Sequence, residues 1–156
     1  MKRVAKFLGL AAGDRGLLLE AALLLLAARA ALRLFPFRWI VRAVSRPPAI
    51  RQLDEIAAQA LVRRVSWAVR AGARHGIGRA VCFPQGIVAQ VMLARRGISC
   101  TLHYGVAKSP QGELEAHVWV RAGACAVVGC ESADRFTPLV SFPRRTSDAF
   151  PAGQVR

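Results

Sequence analysis

At Gly97 the hydrophobic pattern of this chain changes period. Before it, apolar residues recur at helical spacing, as in Ile87, Val88, Val91, Met92 and Leu93; after it they alternate, as along Glu115-Ala116-His117-Val118-Trp119-Val120. A period of 3.6 turns one face of a helix to a core, and a period of two turns one face of a strand there. Helices followed by antiparallel strands make an α+β domain. With 156 residues the chain is one ordinary domain plus an appendage, long enough to bury a single core.

The elements can be placed from their punctuation. Asp14 is positioned to cap a helix running to Leu34, which Pro36 ends, and a shorter amphipathic piece covers Phe37 to Val44. The stretch Ala21 to Ala28 is apolar on every face, yet Glu20, Arg29 and Arg33 bound it too closely for a membrane span, which needs about twenty apolar residues. Three settings suit such a helix: packing on its own domain, docking to a partner, or lying on a membrane surface with its arginines among the headgroups. Ser45-Arg46-Pro47-Pro48 reads as a linker. The expected organisation is therefore an N-terminal helical region over 1–46, a main domain over 50–143 and a basic, flexible tail over 144–156.

Within the main domain, Asp54-Glu55 begins a helix that runs toward Ala73 and ends at Gly76 and Gly78. A second helix covers Gly86 to Arg96, with Pro84 suited to its first turn and Gly97 at the C′ position. Strands are expected from Ile98 to Val106, Glu115 to Arg121 and Cys125 to Val128, with a turn over 107–112 and a tight connection at Gly123. A last extended piece runs from Arg135 to Phe142.

Composition narrows the function. The four cysteines, Cys82, Cys100, Cys125 and Cys130, lack the paired spacing of a zinc site and form no disulfide framework in a chain that is 54% apolar. Reduced thiols in a cytoplasmic setting are the simpler reading, with no metal and no cofactor expected. The net charge of +14 raises nucleic acid as a partner, but the arginines are dispersed and aromatics make up only 7% of residues, so no stacking platform or recognition cluster forms. A basic surface meeting acidic partners or anionic lipid is the stronger reading. Met1-Lys2-Arg3-Val4-Ala5-Lys6 has the charge of a secretory n-region, but Asp14, Arg15 and Glu20 interrupt the apolar run after it and no small-residue cleavage site closes it.

One pair of residues stands out chemically. Cys82, in Ala80-Val81-Cys82-Phe83-Pro84-Gln85-Gly86, opens an apolar helix, where unpaired backbone N–H groups and the positive end of the helix dipole favour a thiolate. His117 lies within a strand, from which an imidazole can take and return the proton. Gln85 is a candidate oxyanion donor or a plain helix-surface amide, the Cys82 backbone N–H being the stronger donor. Trp119 shares the His117 face and either walls the cleft or packs as core. His103 reads as core or cleft lining, His75 as a cation near a helix end, and Arg95-Arg96 as a solvated helix end. Cys100, Cys125 and Cys130 read as small buried hydrophobes.

Taken together, the residues resemble a known family. Cys82-Phe83-Pro84-Gln85 followed by Ala89-Gln90-Val91-Met92-Leu93-Ala94-Arg95-Arg96-Gly97-Ile98-Ser99, then Leu102-His103-Tyr104-Gly105-Val106, Ala116-His117-Val118-Trp119-Val120, Val128-Gly129 and Arg135-Phe136-Thr137-Pro138-Leu139 resemble the lasso-peptide maturation proteases. These are transglutaminase-like cysteine peptidases that cut the leader from a ribosomally made precursor. The resemblance covers roughly 60–142, and the leucine-rich helix ending in Leu34-Phe35-Pro36-Phe37-Arg38 is also similar to the family.

The resemblance implies a papain/transglutaminase-like core, with Cys82 as nucleophile and His117 as its base. Many members place an aspartate about a dozen residues after the histidine to orient it. This chain departs from that pattern, having Val128-Gly129-Cys130-Glu131 there, so Glu131 becomes the first candidate orienter and Asp134 the second. The resemblance further implies the stand-alone protease form, whose partners are the precursor leader, a separate small leader-recognition protein and an ATP-dependent macrolactam cyclase. A related hydrolase or acyltransferase on another modified peptide, and a non-catalytic scaffold of the maturation complex, are the alternatives it leaves open.

Overall fold

The computed structural model describes residues 7–44, 53–75 and 82–143. The expected linker at 45–48, the helix stop at Gly76 and Gly78, the charged start and the basic tail lie outside the described residues. The elements run α1 (Ala12–Leu34), α2 (Phe37–Val44), α3 (Glu55–His75), α4 (Cys82–Ala94), β1 (Thr101–Lys108), β2 (Leu114–Ala122), β3 (Cys125–Val128), a 3-10 turn (Cys130–Arg135) and β4 (Thr137–Phe142). The fold is α+β, as the change of period at Gly97 predicts.

Local chemistry sets most boundaries. Asp54 accepts from the Ala57 backbone N–H at 3.4 Å and opens α3. Asp14, expected as a cap, instead sits inside the first turn of α1 and pairs with Arg64 of α3 at 2.8 Å, because the helix starts earlier, at Ala12. Phe35 leaves α1 with extended backbone ahead of Pro36. Gly97 closes α4 at φ 74°, while the Ile98 N–H bonds Leu93 O and the Gly97 N–H bonds Ala94 O. These two bonds satisfy carbonyls that the helix end would otherwise leave unpaired.

Helix α4 begins at Cys82, one turn before the expected Gly86, so the cysteine is part of the helix itself. The chain after Gly97 stays irregular through Cys100, and β1 starts at Thr101 rather than Ile98.

The sheet is antiparallel in the order β3-β2-β1-β4. Leu102 of β1 pairs with Val120 of β2, and Gly105 pairs with His117. Helix α4 lies against one face of the sheet, where Gly86 is so close that an added Cβ would stand 2.7 Å from Val118 Cγ1. Val88, Met92 and Leu93 of α4 join Val65 and Val69 of α3, Leu102 of β1, and Val118 and Val120 of β2 in one core. Leu17, Ala21, Leu25 and Ala28 of α1 belong to the same core, so the N-terminal helix packs directly on α3 and α4.

A small cluster of charges ties α1 to the end of α4. Arg96 Nη2 reaches Glu20 at 2.6 Å and Arg95 Nη1 reaches it at 3.2 Å. Arg95, expected with Arg96 to be a solvated helix end, is indeed exposed, while Arg96 is partly shielded, and both reach back to α1 through Glu20.

Candidate active site

Cys82 is the first residue of α4, half-buried, and lines two adjoining cavities. His117 of β2 lines both as well. The topology brings them together. Strand β3 ends at Val128, opposite Val120, so the β2 segment carrying His117 has no β3 partner. The 3-10 turn Cys130–Arg135 folds beside that opening instead.

The imidazole is held on several sides. Its Nε2 lies 2.7 Å from Gly129 O, with Ser132 Oγ at 3.3 Å. The ring stacks against Trp119 at 6.1 Å between centroids and meets Phe136 at 4.9 Å. A carbonyl oxygen can only accept, so the neutral imidazole carries its proton on Nε2 and keeps the Nδ1 lone pair for chemistry. Gly129 can serve here because it is a glycine. Its φ is 72°, and a Cβ would stand 2.4 Å from Val118 O and 3.3 Å from His117 Nε2.

The turn bearing Gly129 is anchored to α3. Ser66 Oγ and the Arg70 guanidinium both donate to Val127 O, the latter at 3.1 Å from Nη2, and Arg70 Nη1 pairs with Glu131. Cys130 Sγ points to Val120 O at 3.2 Å, which suits a protonated thiol acting as a weak donor.

Glu131, the first candidate orienter, therefore gives its carboxylate to Arg70 and lies in the polar cavity without bonding the imidazole. Its own backbone N–H holds the carboxyl below its usual range; partial burial opposes this, while the Arg70 guanidinium and, more weakly, His117 add to it. Asp134 is exposed and forms no bond to His117. The atom that contacts Nε2 is a backbone carbonyl, for which no residue type in the sequence is a sign. Only the glycine about a dozen residues past His117 hints at it.

The remaining residues fall into place around this pair. Gln85 lines the polar cavity of about 190 Å³ with Cys82, Arg70 and Glu131. The apolar cavity, about 540 Å³, is bounded by Leu32, Phe83, Pro84, Tyr104, Val140 and Phe142 beside Cys82 and His117. Trp119 is only 7% exposed and sits between His103 and His117 on one face of the sheet, so it is buried and at the same time backs the imidazole. His103 Nδ1 meets Ser141 Oγ at 2.8 Å, away from both cavities. Burial pushes the Cys100 thiol up to about 12, as suits a thiol packed in the core. Cys125 and Cys130 are half-buried.

A family model described as the transglutaminase-like superfamily matches residues 22–141. No curated protein and no solved structure is significantly similar to the chain.

Proposed function

The chain belongs to the transglutaminase-like superfamily, and from that premise we propose that it is a cysteine peptidase that removes the leader from a ribosomally made lasso-precursor peptide. Membership carries cysteine-protease or acyltransferase-type chemistry. The narrower reading draws on the resemblance of the segments around Cys82, His103, His117 and Arg135 to the lasso-peptide maturation proteases. The observation that carries the chemistry is the shared lining of two cavities by Cys82 and His117, with His117 Nε2 occupied by Gly129 O.

In this reaction His117 Nδ1 takes the Cys82 proton, and the sulfur attacks the carbonyl carbon of the last leader residue. A C–S bond forms and the carbonyl π pair moves to oxygen, where the Cys82 backbone N–H at the start of α4 stabilises it. Collapse of the tetrahedral centre breaks the C–N bond, and Nδ1–H protonates the departing amine of the core peptide. Water then attacks the thioester carbonyl while Nδ1 takes one of its protons. The C–S bond breaks, Nδ1–H returns that proton to the Cys82 sulfur, and the leader leaves as a free acid that ionises in solvent. Gly129 O keeps the ring turned throughout and stabilises the imidazolium through Nε2–H, the task that a carboxylate performs in other cysteine or serine enzymes.

The proposed partners are the precursor leader, a small leader-recognition protein and an ATP-using macrolactam cyclase that receives the freed amine. The test is mass spectrometry of the precursor incubated with this protein and the recognition protein. The expected product is one cut at the leader–core junction, absent with Cys82→Ala and with His117→Ala. An intact precursor after incubation with folded wild type and bound partner would replace this reading with the scaffold or another peptide substrate.

A further inference from the structure

Helix α1 is apolar on two opposite faces. Leu17, Ala21, Leu25 and Ala28 are buried in the core. Leu19, Leu23, Leu26 and Leu34 are 53%, 67%, 47% and 75% exposed. The second set recurs at i, i+4, i+7 and i+15, which is a single stripe, roughly 22 Å long at 1.5 Å per residue. Beyond the helix, Phe35 and Trp39 are exposed as well. Scattered exposed leucines are ordinary, but a row aligned along one helix face marks a contact surface.

The charges around the stripe identify what it contacts. Asp14 and Glu20 are the acidic residues of the first 44, and both turn inward, to Arg64 and to Arg95 and Arg96. Arg33 follows Leu26 by seven residues and so lies on the stripe itself, while exposed Arg38 and Arg42 follow in α2. The exposed side chains of α1 and α2 therefore combine leucine, aromatic rings and positive charge, while both acidic residues of this stretch are paired inward. A second copy of the chain would set these arginines against themselves across a two-fold interface. No helix among the described residues is long and apolar enough to cross a membrane.

We propose that the outer leucine face of α1 seats the protein on an anionic lipid surface, with the leucines in the acyl boundary, the arginines at the phosphates and exposed Phe35 and Trp39 available to the same interface. An interfacial helix of this kind gains from apolar burial and from headgroup charge together, and aromatic rings favour the same depth. The surface is independent of Cys82 and His117, so the proposal stands apart from the peptidase reading.

Sedimentation of the full chain with vesicles tests it. The expected result is binding to phosphatidylcholine vesicles containing phosphatidylglycerol, weak binding to phosphatidylcholine alone, and loss of binding as salt rises. Leu23→Glu with Leu26→Glu should weaken binding to the anionic vesicles roughly a hundredfold through the lost burial of two leucines. Because both side chains are exposed, the far-UV circular dichroism should stay the same. Arg33→Gln with Arg38→Gln should reduce the preference for anionic over neutral vesicles. Absence of binding to anionic vesicles by the folded protein overturns the proposal. So does a lipid-free dimer, or a complex with the leader-recognition protein, that the leucine variant dissolves while vesicle binding is unchanged.

Discussion

His117 Nε2 and Gly129 O stand 2.7 Å apart, so a backbone carbonyl occupies the side of the imidazole where an orienting carboxylate is usual. The arrangement depends on Gly129 having φ 72° and no side chain, since a Cβ would meet Val118 O at 2.4 Å. Gly129→Ala should therefore cost about 1–3 kcal/mol of stability through strain and crowding. Turning the ring should also lower kcat on the order of a hundredfold. Denaturant unfolding and single-turnover cleavage measure the two effects separately. Ser132→Ala removes only the more distant 3.3 Å contact, and its activity should stay within roughly threefold of wild type. A Gly129→Ala protein that cleaves at the wild-type rate would refute the role given to this carbonyl.

Glu131 provides the sharpest contrast. An enzyme that relies on a carboxylate to fix the histidine tautomer loses about 10⁴ in kcat when that group becomes an amide. Here the carboxylate pairs with Arg70 and the tautomer is set by Gly129 O. Glu131→Gln should accordingly keep its activity within about tenfold, the loss arising from a looser turn. A drop of several orders of magnitude would assign Glu131 the orienting role after all.

The elements that the sequence reveals are those whose cause is local. Gly97 marks the end of α4 because only a left-handed residue completes its closing bonds, and Asp54 marks the start of α3 through its cap. Cys82 and His117 stand out because their side chains have distinctive chemistry. The Gly129 contact is hidden because every residue has a carbonyl, and its direction is set by a turn anchored through Val127 to Ser66 and Arg70, far away in sequence. The roles of Arg95 and Arg96 are hidden for the same reason: Glu20 is some 75 residues distant along the chain. For α1, the apolar character is plain in the sequence, but which leucines face outward depends on where α3 and α4 pack.

The Glu20 contacts make acid stability measurable. Partial burial disfavours the charged carboxylate, but the hydrogen bonds and charge of Arg96, and then of Arg95, outweigh it, leaving the group below its usual value of 4.5. The unfolded chain then binds more protons in this range, so the contribution is fully present above about pH 4.5 and disappears as pH falls through the lower folded-state value. Glu20→Gln should lose about 1 kcal/mol near neutral pH, since the Glu20 and Arg96 side chains are largely shielded, and almost nothing at pH about 2. Urea unfolding at several pH values checks both limbs. A difference between wild type and variant that grows toward low pH would contradict the pairing.

Gly86 tests how closely α4 must lie against the sheet. A Cβ there would come 2.7 Å from Val118 Cγ1 and 3.2 Å from Leu102 Cδ1, both on buried residues that cannot swing aside. Gly86→Ala should push the helix outward at a cost of about 1–3 kcal/mol, despite the better helix propensity of alanine. Cys82 lies one turn earlier on the same helix, so its sulfur should move relative to His117 and kcat should fall with stability. A stabilised, fully active variant would mean that the helix tolerates displacement.

Thiol labelling separates the site cysteine from the structural one without any substrate. Cys82 borders two cavities, whereas Cys100 is 8% exposed and burial pushes its thiol up to about 12. Only the thiolate alkylates, so at neutral pH Cys100 must wait for an opening of the fold, and its rate should rise with denaturant in step with unfolding. Cys82 should react first in the native protein, at a rate insensitive to low denaturant, and Cys82→Ala should abolish that fast adduct. Peptide mapping of iodoacetamide adducts over time follows both. If Cys100 were modified as fast as Cys82 under native conditions, its place in the core at the start of β1 would have to be abandoned.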